Sequence, residues 1–85
     1  MQANIDSAAA SINLPILKLN DSGEAVRLLE QLLICYAYLN PKEFDGKFDG
    51  DTKKAVETFQ KDRKLTVDGV VGQLTWRALG SACKR

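Results

Sequence analysis

Acidic side chains gather around two Asp-Gly pairs: Asp45, Asp49 and Asp51 around the first, Asp68 at the second. A pair of carboxylates can cleave a glycosidic bond, one as acid and one as base or nucleophile. Here each acid stands where a turn or a helix cap already explains it. The chain has no histidine, which removes the usual general base and the commonest zinc ligand. Serines and cysteines occur without a base or an oxyanion loop nearby in sequence. Calcium fails on ligands. Asp45-x-Lys47-x-Asp49-Gly50-Asp51 begins like an oxygen-donor loop, but Lys47 occupies the third ligand place and Val56 the place of a bidentate glutamate. No enzyme, metal or cofactor is expected.

Recognition of a carbohydrate or peptide asks for less: an aromatic platform, a few amides or hydroxyls, and a cation for a carboxylate. Trp76, Gln60, Arg63 and Arg77 supply those types, and the rims of the two Asp-Gly segments add Asp45, Phe48, Asp68 and Thr75. These eight residues are the candidate ligand-binding set. Each also has a plainer role. Trp76 suits a core edge, Gln60 can bond loop backbone, Asp45 and Asp68 can brace their own turns, and the arginines can be solvated.

The elements that must position them announce themselves by repetition. Asp45-Gly46-Lys47-Phe48 leads to Thr52, Ala55 and Val56; Asp68-Gly69-Val70-Val71 leads, at the same offsets, to Thr75, Ala78 and Leu79. One device is used twice: an Asp-Gly turn, an apolar anchor, then a helix start. Matching helix N-termini could then flank a shared groove, with free N–H groups at Gly50 and Gln73.

Along the chain, residues 1–13 are small and polar and read as a loosely held arm. Leu14-Pro15-Ile16-Leu17-Lys18-Leu19 reads as an extended lead-in that lays Leu17 or Leu19 on the core. Asp21 and Glu24 have capping-box spacing, and a first helix is expected over 23–39. Its apolar face carries Ala25, Val26, Leu28, Leu29, Leu32, Leu33, Tyr36 and Ala37, with Arg27, Glu30 and Gln31 outside. Ile34 and Tyr38 also fall outside. Asn40-Pro41 ends it. A second helix is expected over 50–64, capped by Asp49, and a short third over 73–81, with Gly72 as cap. Residues 82–85 form a tail. The expected core is Leu17, Leu19, Val26, Leu29, Leu33, Tyr36, Phe48, Val56, Phe59, Leu65, Val71 and Leu79.

This is an all-α, compact three-helix domain spanning 14–81. Eighty-five residues allow one core, and a net charge of +1 gives no electrostatic case for nucleic acid or an acidic membrane. No apolar run reaches membrane-spanning length, and the N-terminus lacks a secretory pattern. Cys35 and Cys83 could bridge, but their spacing does not say so. The favoured reading is a buried small residue and a tail thiol.

The order Ser22-Gly23-x-x-Val26-x-x-Leu29-x-x-x-Leu33, Tyr38, Asp45-Gly46-x-Phe48, Thr52-x-x-Ala55-Val56-x-x-Phe59-Gln60, Leu65-x-Val67-Asp68-Gly69-Val70-Val71-Gly72-x-x-Thr75-Trp76-x-x-Leu79 resembles the peptidoglycan-binding domain-1 family. The resemblance implies a non-catalytic, monomeric three-helix module of the cell envelope. It would bind peptidoglycan, through glycan strand or stem peptide, and target a linked or partner hydrolase to it. A protein-interaction or scaffold domain of the same fold, using Ile34, Tyr38 and the arm, is the alternative. Asn20, Ala37, Asp49 and Lys64 stand where the family pattern usually shows glycine; Ala37 is expected to let the first helix run on, and Lys64 to carry a strained left-handed turn.

Overall fold

The computed structural model describes residues 14–82. The expectations for the arm, for Cys83 and for the end of the tail lie outside the described residues. Within them are three α-helices, α1 (Glu24–Cys35), α2 (Gly50–Asp62) and α3 (Gln73–Ala82), with a 3-10 turn at Pro41–Glu43. No strand is present among the described residues, only isolated β-bridges. The expected all-α three-helix fold is the one observed.

α1 packs against both α2 and α3. The core joins Val26, Leu29 and Leu33 of α1 with Ala55, Val56 and Phe59 of α2 and Trp76 and Leu79 of α3. Leu17, Leu39, Phe48 and Val71 close it from the loops. Burying such side chains is worth roughly 1.5–3 kcal/mol each. Tyr36 and Leu65 are partly buried at its margin, as are Ile34 and Tyr38. Leu17 is buried and Leu19 exposed: in an extended strand the two would share a face, but the chain turns at residues 19–20, where Asn20 has φ 83°.

The lead-in ties both Asp-Gly segments to one short stretch of backbone. Leu17 exchanges hydrogen bonds with Val71 (3.1 and 2.8 Å), while Asn20 N–H donates to Phe48 O, Phe48 N–H to Asp21 O, and Gly23 N–H to Gly46 O. This positions the start of α1. Its N-cap is Gly23, without a side-chain cap. The expected capping box does not form, because Asp21 Oδ2 accepts instead from Lys18 N–H at 2.9 Å. Asp49 does cap α2, accepting from Thr52 N–H at 3.1 Å.

α1 is shorter than expected and stops at Cys35. Ala37 takes a left-handed conformation with φ 68° and does not continue the helix. Tyr38 N–H reaches back to Leu33 O and Ala37 N–H to Ile34 O, which is the Schellman pattern. α2 ends the same way. Lys64 has φ 60°, Leu65 N–H donates to Gln60 O and Lys64 N–H to Lys61 O. Two residues with a Cβ thus sit in a backbone region that favours glycine. Cys35, expected as a buried small residue, is exposed and disulfide-bonded.

Relieving that strain should stabilise the domain. Ala37→Gly and Lys64→Gly are each expected to gain about 1 kcal/mol, which raises the thermal midpoint by roughly 4–8 °C in a domain of this size. Thermal unfolding followed by circular dichroism measures it; an unchanged or lowered midpoint contradicts the strain.

Candidate functional site

Gln60 is the centre of the second Asp-Gly unit. It sits near the end of α2, one residue after core Phe59, and is 1% exposed. Its Oε1 accepts from Asp68 N–H (3.1 Å) and Gly69 N–H (3.0 Å). Its Nε2 faces Asp68 Oδ1 (3.0 Å), Val70 O (2.9 Å) and Thr75 Oγ1 (3.2 Å). An amide is the one side chain that offers two lone pairs and two protons from a single planar head. It therefore satisfies donors and acceptors of the loop at once.

Asp68 completes the turn by accepting from Val70 N–H at 2.9 Å. That bond, with the Gln60 amide after it, holds the Asp68 carboxyl below its ordinary range. Gly69 has φ 70°, and a Cβ there would crowd the Lys53 side chain (Cε 2.9 Å, Cγ 3.0 Å), so backbone angle and close approach both favour glycine.

Around this anchored loop and the start of α3 lies a cavity of about 300 Å³ lined by Gln60, Leu65, Thr66, Asp68, Gly72, Gln73, Leu74 and Thr75. Its wall mixes amides, hydroxyls, a carboxylate and two leucines, the types that a sugar or a short peptide requires. Leu74 is 69% exposed beside it, an apolar side chain that no core contact explains.

The structure thus brings Gln60, Asp68 and Thr75 together and leaves the other candidates elsewhere. Phe48 is 1% exposed, and Trp76 is 3% exposed with its Nε1 donating to Pro15 O at 2.8 Å. Both are core residues that present no platform. Arg63 lies over the rings of Tyr36 and Phe59, at 5.5 and 5.3 Å. Arg77 is exposed and outside the cavity lining. Asp45 belongs to the first loop, where its Oδ1 accepts from Lys47 N–H at 3.0 Å.

The first loop contributes nothing to this cavity. Lys47, Phe48 and Asp49 instead line a separate depression with Asn20, Asp21 and Ser22. The expected shared groove is therefore absent from the second-loop cavity. Thr66 and Leu74 line the cavity from outside the candidate set, and Gln73 joins it although only its backbone N–H is singled out by the sequence. The signal for Leu74 was available: an apolar residue in the first turn of α3, off the register of Val71, Thr75 and Leu79.

Glu43, Asp49 and Asp51 place carboxylate oxygens within 4.8 Å of one another. Mutual repulsion, from Asp51 first, raises the Glu43 carboxyl. Asp49 already serves Thr52 N–H, and the group is a cluster of cap acids at the surface.

A three-helix module whose two Asp-Gly loops each border a surface recess has the build of a small binding domain. The chain belongs to the family of peptidoglycan binding domains, whose profile matches residues 22–79. It is 44% identical over 66 residues to an uncharacterised protein of Kitasatospora aureofaciens, covering 76% of this chain and 55% of that one. It is 37% identical over 67 residues to the N-acetylmuramoyl-L-alanine amidase CwlL of Bacillus licheniformis, covering 78% of this chain and 19% of the amidase. The chain therefore spans about half of the first relative and a fifth of the second. The crystal structure of the SleB N-terminal domain superposes with a TM-score of 0.81 at 30% identity, covering 87% of this chain and all of that domain.

Gln60→Ala should leave the N–H groups of Asp68 and Gly69 without their partner, at roughly 1–3 kcal/mol for each buried group orphaned. Chemical denaturation is expected to show a loss of about 3 kcal/mol, and a loss below 1 kcal/mol contradicts the anchoring role. Asp68 adds a pH dependence. Its folded pKa is depressed, so its contribution is present above the ordinary carboxylate range and fades as pH falls through the folded value. Asp68→Asn should flatten that acid limb of the stability profile.

Proposed function

We propose that the second-loop cavity receives a fragment of peptidoglycan and that the domain thereby holds a linked hydrolase at the cell wall. The observation that carries this reading is the cavity itself: a pre-formed recess of about 300 Å³, braced by Gln60 and Asp68, in a chain of the peptidoglycan-binding family. Thr66, Gln73 and the free face of Asp68 offer hydrogen bonds to hydroxyls or amides. Leu65 and Leu74 offer an apolar wall to a sugar face or an alanine methyl.

The role is binding without catalysis. A general acid for glycoside or amide cleavage needs a raised pKa, and the cavity's carboxylate, Asp68, is held in the opposite direction. The amidase CwlL shares the matched region over only a fifth of its length, which fits a tethered module. A tether raises the local concentration of an attached catalytic domain without new chemistry.

Co-sedimentation with insoluble sacculi tests it. The domain is expected in the pellet, with no release of soluble muropeptides. Leu74→Asp and Gln73→Ala change exposed side chains, so folding should persist while the bound fraction drops several-fold. Full recovery in the supernatant contradicts peptidoglycan binding; undiminished sedimentation of both variants moves the site away from this cavity.

A further inference from the structure

The repeat extends into the helices, and there the two copies differ in one functional group. Val26-x-x-Leu29-Glu30 of α1 matches Val56-x-x-Phe59-Gln60 of α2, and Glu30 does for the first Asp-Gly loop what Gln60 does for the second. Glu30 is 0% exposed, and its Oε1 accepts from Gly46 N–H at 2.8 Å. Its other oxygen, Oε2, is buried and meets no hydrogen-bond donor among the described residues. In the second unit the matching position is the Nε2 of Gln60, which carries protons and gives one to Asp68 Oδ1. A carboxylate has no proton to give. A carboxylic acid has one.

We propose that Glu30 is a protonation-dependent anchor of the first Asp-Gly loop. Protonated, it holds Asp45, Gly46 and Lys47 as Gln60 holds Asp68, Gly69 and Val70. Ionised, it leaves an uncompensated buried charge facing Asp45 and loosens the loop. The sequence places an acid where the second copy uses a neutral amide, so the two loops respond differently to pH although their backbones are built alike.

The surroundings agree. Burial is the largest influence on Glu30 and raises its pKa; the Gly46 N–H opposes this, and the Asp45 carboxyl adds to the rise. Asp45 is itself shifted down, first by the Lys47 N–H, so it is the member of the pair that keeps its charge. Arg27, on the same helix, lays its guanidinium over the Phe44 ring, 5.9 Å from the centroid, with its Nε and stem against Gly46. Lys47 acts on Asp45 from the loop. Among the described residues, the through-space charge acting on Glu30 is that of Asp45.

The sign follows from linkage. A carboxyl whose folded pKa is raised binds more protons folded than unfolded, so its contribution is complete at low pH and is lost as pH rises through the folded value. This runs opposite to Asp68.

The test is an NMR pH titration of the Gly46 and Gly69 amides in the intact chain. The Gly46 resonance is expected to shift with an inflection above the ordinary glutamate range, while Gly69 shows none there. Amide exchange at 45–47, corrected for intrinsic rate, should accelerate across the same window relative to 68–70. Glu30→Gln should abolish the inflection and the accompanying fall in thermal midpoint, and Asp45→Asn should move the inflection downward. An inflection in the ordinary carboxylate range, none at all, or one that survives in Glu30→Gln overturns the proposal. Should Glu30→Gln fail to fold, an unmoved inflection in Asp45→Asn overturns it alone.

Discussion

Backbone satisfaction in the two Asp-Gly loops is the constraint on which this small domain rests. A turn that folds into the protein buries peptide groups that neither helix nor strand can serve, and each one left unpaired is expensive. The solution is the same in both halves. A helix carries a polar side chain immediately after a core apolar residue, and that side chain reaches the N–H groups of the loop that follows. Glu30 behind Leu29 serves Gly46, and Gln60 behind Phe59 serves Asp68 and Gly69. The apolar neighbour fixes the helix against the core, so the polar head arrives at a defined place. α2 belongs to both units, since its N-terminus is set by the first loop and its Gln60 sets the second.

From this follows the division of labour between the candidate residues. Side chains that would be attractive as ligand contacts on chemical type alone are consumed in construction: Gln60 in bracing, Trp76 and Phe48 in packing, Asp45 in closing its turn. What remains available at the second cavity is the outer rim, formed by Thr66, Gln73 and Leu74. Their side chains make no hydrogen bond among the described residues, so under the proposed function binding and stability are separable there. At Gln60 they are not, because the residue that shapes the recess also holds the loop that walls it.

Much of the fold was legible because its signals are local and redundant. The doubled Asp-Gly segment, the Asp49 cap and the apolar faces of α2 and α3 each pointed to the same three helices, and the family pattern ran through them. The errors have physical causes. Glu30 was placed outside because a carboxylate at a core-facing position contradicts simple amphipathic reading; Leu28, counted inside, is exposed. The match of Val26-x-x-Leu29-Glu30 with Val56-x-x-Phe59-Gln60 carries the signal that Glu30 faces inward. The first helix ends at Cys35 rather than near residue 39, because a left-handed alanine leaves no trace in composition, whereas a glycine at 37 marks such an end. The two loops border separate recesses, because repetition in sequence specifies local geometry only. The relative placement of the two loops is set by the lead-in, whose Leu17 pairs with Val71 while residues 20–23 pair with 46–48, and so each loop meets a different stretch of it.

The two units therefore diverged in the one place where divergence changes physics without changing shape. Glutamate and glutamine occupy nearly the same volume, so either can fill the buried position behind the core residue. Only one of them titrates. In the second unit the anchor is a neutral amide that does not titrate, and its loop bounds the cavity. In the first unit an acid faces another acid, and the loop bounds no part of that cavity. A recess keeps its shape most reproducibly when its support cannot change charge, and the neutral anchor stands under the recess proposed to bind.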